Sequence, residues 1–155
     1  NGKDLGLKLY GSRALMSLRL EKNWGVWTLD FRPDFTALES GLDAFINWDK
    51  NFVGKEATLN EKKQGPNKKL VTMTVDTNNI DVTNDEAILK DNKCVGYVTS
   101  GGYAHHVKKS MALGYVPLEF SKHETILDIE INGKLYSAHV TDRPLYDANS
   151  GRMKS

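Results

Sequence analysis

Beyond residue 65 the apolar side chains recur at every second position, and that spacing limits the fold more than any other feature of the chain. Val71, Met73 and Val75 alternate with Thr72 and Thr74, and Leu127, Ile129 and Ile131 alternate with Asp128 and Glu130. Side chains two apart lie on one face of an extended chain, so this is the pattern of strands buried on one side. Asn132-Gly133 separates IEI from KLYSAHV and supplies the positive φ values that a two-residue hairpin needs. Asp91-Asn92 is expected to turn AILK back toward CVGYVTS, and LGYVPL adds another strand. About six strands result, which suits a small closed antiparallel barrel.

The preceding third is mixed. Ser12 is a plausible N-cap for a helix through RALMSLRLEKN, with Ala14, Leu15 and Leu18 on the inner side and Arg13, Ser17 and Glu21 facing water. Thr36-Ala-Leu-Glu39 has the form of a capping box leading into a brief helical turn. DAFINWD, through Phe45 and Trp48, is expected to be a strand. KEATLNEKKQ, residues 55–64, is rich in helix formers and is closed by Gly65 and Pro66. The fold class is therefore α+β and β-rich. We expect a short α/β segment over residues 1–65, a β-barrel over 66–147 and a tail over 148–155.

Composition excludes several function classes. The 155 residues carry 21 Lys plus Arg against 20 Asp plus Glu, a net charge of +1, so no large basic field is available to hold a nucleic acid. No apolar run approaches the roughly 20 residues that span a bilayer, and no secretion signal is present, so a soluble chain with no membrane partner is expected. The single cysteine, Cys94, rules out a disulfide framework and fits a reducing compartment, and its simplest reading is a small buried residue. The chain opens at Asn1 inside patterned sequence, and we expect a fragment or a processed product of a longer protein.

The stretch VTSGGYAHHVKKSMALGYVP, residues 98–117, invites a catalytic or metal reading. Adjacent His105 and His106 would point to opposite faces of an extended segment, and the four histidines show no helical i, i+4 spacing, so no metal site is expected. Ser100 lacks the Gly-x-Ser-x-Gly elbow of a nucleophile. Gly101 and Gly102 are expected to form a tight strand-to-strand connection.

The same stretch has a distinctive pattern. VGYVTSGGY followed by KKSMALGYVP resembles the C-terminal barrel of the glycine-cleavage T-protein family. GSRALMSLRLEKNWGVWTLDFRPDFTALESGL (11–42) is similar to the family's Arg-x-Ser-Leu-Arg-Leu-Glu region, and FVGKEA (52–57) to its Phe-x-Gly-Lys-x-Ala helix start. Leu-Glu-Lys followed by Trp27, with the Asp-Lys-Asn-Phe-Val-Gly-Lys stretch, is similar above all to the folate-binding C-terminal portions of dimethylglycine and sarcosine dehydrogenases. The likeness runs in order over nearly the whole chain.

This resemblance implies tetrahydrofolate as cofactor, a small amine-derived one-carbon donor as partner, and FAD only in a domain upstream of Asn1. It implies a location in the bacterial cytoplasm or the mitochondrial matrix. Arg19 stands where the family places a folate-cavity arginine. Trp27 stands where T-proteins tend to have tyrosine, which keeps an aromatic wall and loses a hydroxyl. Arg143 in DRPLYD matches a terminal Arg-Pro pattern and would close the cavity from the barrel side.

Without the family, Arg19 would be a solvated helix residue, the tryptophans core or interface residues, and Arg143 a surface residue. The family's catalytic aspartate lies upstream of the segment matching Asn1, so no catalytic residue is expected here, and the chain alone is expected not to turn over substrate. Two other readings stand beside this one. The same architecture serves protein interaction in a regulatory subunit of a pyruvate dehydrogenase phosphatase, and an unrelated small-ligand barrel would show an aromatic ladder that is not seen. An exposed apolar face in residues 1–65 could also drive homodimerisation.

Overall fold

In the computed structural model, which describes residues 2–154, the change of period at Gly65 is where the helical part gives way to strands. Helix α1 spans Ser12–Glu21 and helix α2 spans Lys55–Gln64. Six strands follow: β1 (Lys68–Val75), β2 (Ala87–Lys90), β3 (Lys93–Ala104), β4 (Lys109–Pro117), β5 (Ile126–Ile131) and β6 (Lys134–Thr141). A four-residue helix, α3 (Gly151–Lys154), lies at the end. The strands close in the order β1-β4-β3-β2-β5-β6, with every neighbouring pair antiparallel. Closure removes the sheet edges that would otherwise template aggregation.

Both expected hairpins form as their turn residues require. Asp91 and Asn92 have φ of 50° and 60°, and Asn132 and Gly133 have 50° and 74°, so both central residues of each turn are left-handed. Val71, Met73, Val75, Val98, Ile129 and Val140 fill the barrel interior. On β1 and β4 the outward-facing Thr72, Thr74, Met111, Leu113 and Tyr115 are buried too, and Ser40 and Phe35 of the first 65 residues lie against Tyr115. Helix α2 has the bounds its composition suggests, with Gly65 at φ 86° as its C-cap.

Several local expectations are overturned. Residues 43–49 form a 3₁₀ turn at Asp43–Phe45 followed by irregular chain, and no strand. Alternation makes a strand only where a partner edge exists, and a closed barrel offers none. Ser12 is the first helical residue of α1, and Gly11 stands at the cap position with no side-chain cap bond. The buried positions of α1 are Ser17, Arg19, Leu20 and Glu21, while Ala14, Leu15 and Leu18 are exposed. Polar partners from distant segments decide that orientation, and apolar periodicity has no access to them.

Gly101 and Gly102 lie within β3, and the connection to β4 is the four-residue turn 105–108 that holds both histidines. Gly101 is needed for close approach: a Cβ there would sit 2.5 Å from the Val82 carbonyl oxygen. Cys94 is exposed, its thiol 3.4 Å from the Gly96 carbonyl oxygen.

Candidate functional site

The layer and the barrel are joined through one buried carboxylate. Asp30 has no exposed surface, and each of its oxygens accepts two hydrogen bonds. Oδ2 receives Arg19 Nη1 at 2.6 Å and the Val26 backbone N–H at 2.9 Å. Oδ1 receives the Thr99 hydroxyl at 2.5 Å and the Ser100 hydroxyl at 2.8 Å. Four donors satisfy both oxygens of the carboxylate, and the ion pair with Arg19 needs that satisfaction to be tolerable away from water.

A break in strand pairing makes this possible. The β3–β4 register shifts between Val98 and Ser100, leaving Thr99 as an extra residue. Successive side chains of a regular strand point to opposite faces, but at this bulge both hydroxyls reach Asp30.

Arg19 is held at both ends of its helix turn. Its Nη1 also donates to the Trp24 carbonyl at 3.2 Å, and its own carbonyl accepts the Trp24 N–H at 2.9 Å. Its Nε and Nη2 are buried with no hydrogen-bond partner. A buried donor left unpaired costs about 1–3 kcal/mol. That edge of the guanidinium is the fork that pairs with a carboxylate in bidentate fashion.

Beside the ion pair, Tyr115 donates from its hydroxyl to the Asp30 backbone carbonyl at 2.9 Å and lies 2.8 Å from Ser40 Oγ. Phe35 stacks on its ring with centroids 3.5 Å apart and planes 7° off parallel. Burial pushes the Tyr115 phenol up to about 12; the Ser40 hydrogen bond opposes this, and the charges of Asp30 and Glu39 add to it. The expected capping box is present: the Thr36 N–H donates to Glu39 Oε2 and the Glu39 N–H to Thr36 Oγ1, both at 3.1 Å. The Glu39 carbonyl then accepts the Leu70 N–H at 2.8 Å, tying this loop to the barrel.

Glu21, expected to face water, is a second buried anchor. Its Oε1 accepts the His106 N–H at 2.6 Å, and its Oε2 lies 2.9 Å from His106 Nδ1. His106 therefore serves a structural connection between α1 and the β3–β4 turn, while the ring of His105 meets Tyr103 edge-on. The ring of Tyr146 lies against His106 at 4.6 Å, and Lys22 Nζ reaches the Asp147 carbonyl at 2.6 Å, so the chain after β6 folds back over the same junction. Among the described residues, no three His, Cys, Asp or Glu side chains converge as metal ligands would.

The three residues singled out in the sequence differ in exposure. Arg19 is buried. Trp27 is 77% exposed and meets Phe31 edge-on, with ring centroids 5.8 Å apart. Arg143 is exposed, and its nearest charged partner is Asp142 at 3.7 Å. Asp30, Thr99 and Ser100 were missed. Arg19 and Asp30 are 11 positions apart and Asp30 and Ser100 are 70 apart, with no short motif to join them. The only trace was the Thr-Ser pair set just before two glycines.

Similarity to known proteins agrees with this geometry. The model of the glycine cleavage T-protein C-terminal barrel domain matches residues 68–147, and that of the GCVT N-terminal domain matches residues 1–50. Human mitochondrial dimethylglycine dehydrogenase is 36% identical over 146 residues, covering 93% of this chain and 17% of the relative. An aminomethyltransferase of Picosynechococcus is 35% identical over 148 residues, covering 94% of this chain and 40% of the relative. The crystal structure of the glycine cleavage system aminomethyltransferase T from Bartonella henselae superposes with a TM-score of 0.85 at 26% identity, over 91% of this chain and 40% of that one. The chain thus spans less than half the length of these relatives. No helix among the described residues is long and apolar enough to cross a membrane. With both domain models matched in order and the six-stranded barrel in the place of the second, the chain belongs to the glycine cleavage T-protein family.

Proposed function

We propose that this chain is the C-terminal portion of a tetrahydrofolate-dependent one-carbon transfer protein, either a T-protein-like aminomethyltransferase or the folate module of a dimethylglycine or sarcosine dehydrogenase. Residues 1–65 are the end of a folate-binding lobe, 66–147 the barrel that supports it and 148–155 a tail. The observation that carries this reading is Arg19. It stands where the resemblance puts a folate-cavity arginine, and it is buried and aligned by Asp30, with Nε and Nη2 unpaired.

Tetrahydrofolate fits these donors chemically, because it offers carboxylates and a pterin amide to a planar fork. When bound, it accepts the one-carbon unit released from the amine donor. The residues of this chain position it. Asp30 fixes the guanidinium, so Arg19 needs no reorganisation when a ligand arrives. Trp27 presents an aromatic face on which a flat ring can stack. Arg143 closes the cavity from the barrel side. In the dehydrogenase alternative a flavin would belong to a further, upstream domain, and the surroundings are the bacterial cytoplasm or the mitochondrial matrix.

The chain alone is expected to show no turnover with tetrahydrofolate and an amine donor, and measurable turnover would remove that expectation. The direct test is a tryptophan fluorescence titration with a stable reduced folate, corrected for ligand absorbance. Saturable quenching that Arg19→Ala weakens and Trp27→Phe reduces in amplitude is the expected result. Quenching indifferent to both substitutions would dissociate folate from these residues.

A further inference from the structure

Where Asn23 and residues 40–41 meet the outer face of β1 and β6, the chain leaves a cleft of about 410 Å³. The sheet sets two opposite charges beside it. Thr72 pairs with Thr141, and the same antiparallel register carried one step further brings Asp142 next to Val71, two positions from Lys69. At about 3.3 Å per residue along a strand and about 4.8 Å between strands, the backbones of Lys69 and Asp142 stand about 8 Å apart. The two side chains do not meet. Among the described residues the Lys69 ammonium has no hydrogen bond or ion pair. The Asp142 carboxylate accepts no hydrogen bond, and its charged neighbours His123 Nδ1 and Arg143 Nε stand off at 3.8 Å and 3.7 Å.

The rest of the polar wall offers acceptors. Ser121 Oγ donates to the Leu118 carbonyl at 2.7 Å, and Thr141 Oγ1 donates to the Thr72 carbonyl at 3.3 Å. Ser40 Oγ lies 2.8 Å from the Tyr115 hydroxyl, whose own hydrogen goes to the Asp30 carbonyl, so Ser40 is the donor of that pair. A hydroxyl whose hydrogen is committed has only lone pairs left to offer. Asn23 adds a side-chain carbonyl oxygen that is buried and receives no hydrogen bond. Its φ of 55° accounts for an asparagine there, since Asn tolerates the left-handed region, but not for the unmet acceptor.

We propose that this cleft binds a small zwitterionic amino acid. The ligand's ammonium donates to Asn23 Oδ1, the hydroxyl oxygens and Asp142, and its carboxylate takes the free Lys69. A lone cation would meet Lys69 and Arg143, and a lone anion would meet Asp142 and a wall of acceptors, so the site serves both charges together better than either alone. Neither Arg19 nor Trp27 lines the cleft, and the inference does not rest on folate.

The test is a titration of the 15N-labelled chain with L-alanine, followed by amide chemical shifts. Two probes run beside it: propionate, which lacks the ammonium, and N,N,N-trimethylalanine, which keeps both charges but has no N–H to donate. L-Alanine is expected to shift residues lining the cleft, Asn23, Lys69 and Asp142 among them, and to saturate in the millimolar range. Both other probes should bind at least about tenfold more weakly. Lys69→Ala and Asp142→Asn, at exposed positions where the fold is not at stake, should each weaken L-alanine at least about fivefold. An equal response to L-alanine and its trimethyl derivative would overturn the proposal, because the acceptor wall would then play no part. A folded chain with no saturable shift up to about 50 mM L-alanine would overturn it as well.

Discussion

The barrel and the 65 residues laid against it are stabilised by different means. The barrel closes on itself, fills its interior with Val71, Met73, Ile129 and their neighbours, and pairs its strands all the way round. The layer contributes little apolar area of its own. It is fastened by the buried carboxylates of Asp30 and Glu21 and by the Glu39 loop, while many of its apolar side chains face outward. A closed sheet can satisfy itself, whereas a partial layer borrows its stability from ion pairs and hydrogen bonds to the neighbour. The borrowed contacts are also those that place Arg19.

Asp30→Ala strikes at that dependence and should have the largest effect. It leaves Arg19 buried without its counter-charge and the Ser100 hydroxyl without its acceptor, while Thr99 keeps the Leu113 carbonyl, a loss of about 3–5 kcal/mol. Hydrogen exchange should rise across α1 and residues 24–42 while the barrel strands stay protected. If barrel and layer instead lost protection together, the two regions would be one cooperative unit and the contrast would fail. Ile129→Ala, in the barrel interior, should cost about 2–5 kcal/mol in urea unfolding and should loosen both regions, since the layer has nothing else to rest on.

Gly101→Ala probes the seam. Its methyl group would collide with the Val82 backbone, and we expect a loss of about 1–3 kcal/mol, read as a lower melting temperature.

Tyr115 sharpens the comparison through pH. Its folded-state phenol is raised to about 12 from an unfolded value near 10, so the folded state keeps a proton that the unfolded state releases. The resulting stability is complete below pH 10 and declines as pH rises toward 12. Melting curves of the wild type and Tyr115→Phe, taken across that interval, should converge as the advantage of the wild type disappears.

The smallest effect belongs to Trp27→Ala. The side chain is mostly solvent-facing, so stability should move within about ±0.5 kcal/mol. A larger loss would mean that Trp27 supports the layer from within.

Strand periodicity, two turn dipeptides and a Gly-Pro stop made the barrel legible because each acts over a few neighbouring residues. The hairpins at Asp91-Asn92 and Asn132-Gly133 follow from the φ values those residues tolerate, and α2 follows from composition and its glycine cap. The capping box at Thr36 and Glu39 was equally local, and it formed. The site was legible only at Arg19, and there through resemblance to a family. Its partners come from segments far apart in the chain and are brought together by a bulge in β3.

By itself, then, the sequence determined what short-range physics controls: where strands run, where they turn, where helix α2 ends, and that the β half would close into a barrel. Only the tertiary structure decided which way α1 faces, that residues 43–49 have no strand to pair with, that Thr99 and Ser100 share one carboxylate, and that Glu21 is buried. Those outcomes depend on placing charges and hydroxyls from distant positions within 3 Å of each other at buried positions. The energy of such contacts exists only once the chain has folded.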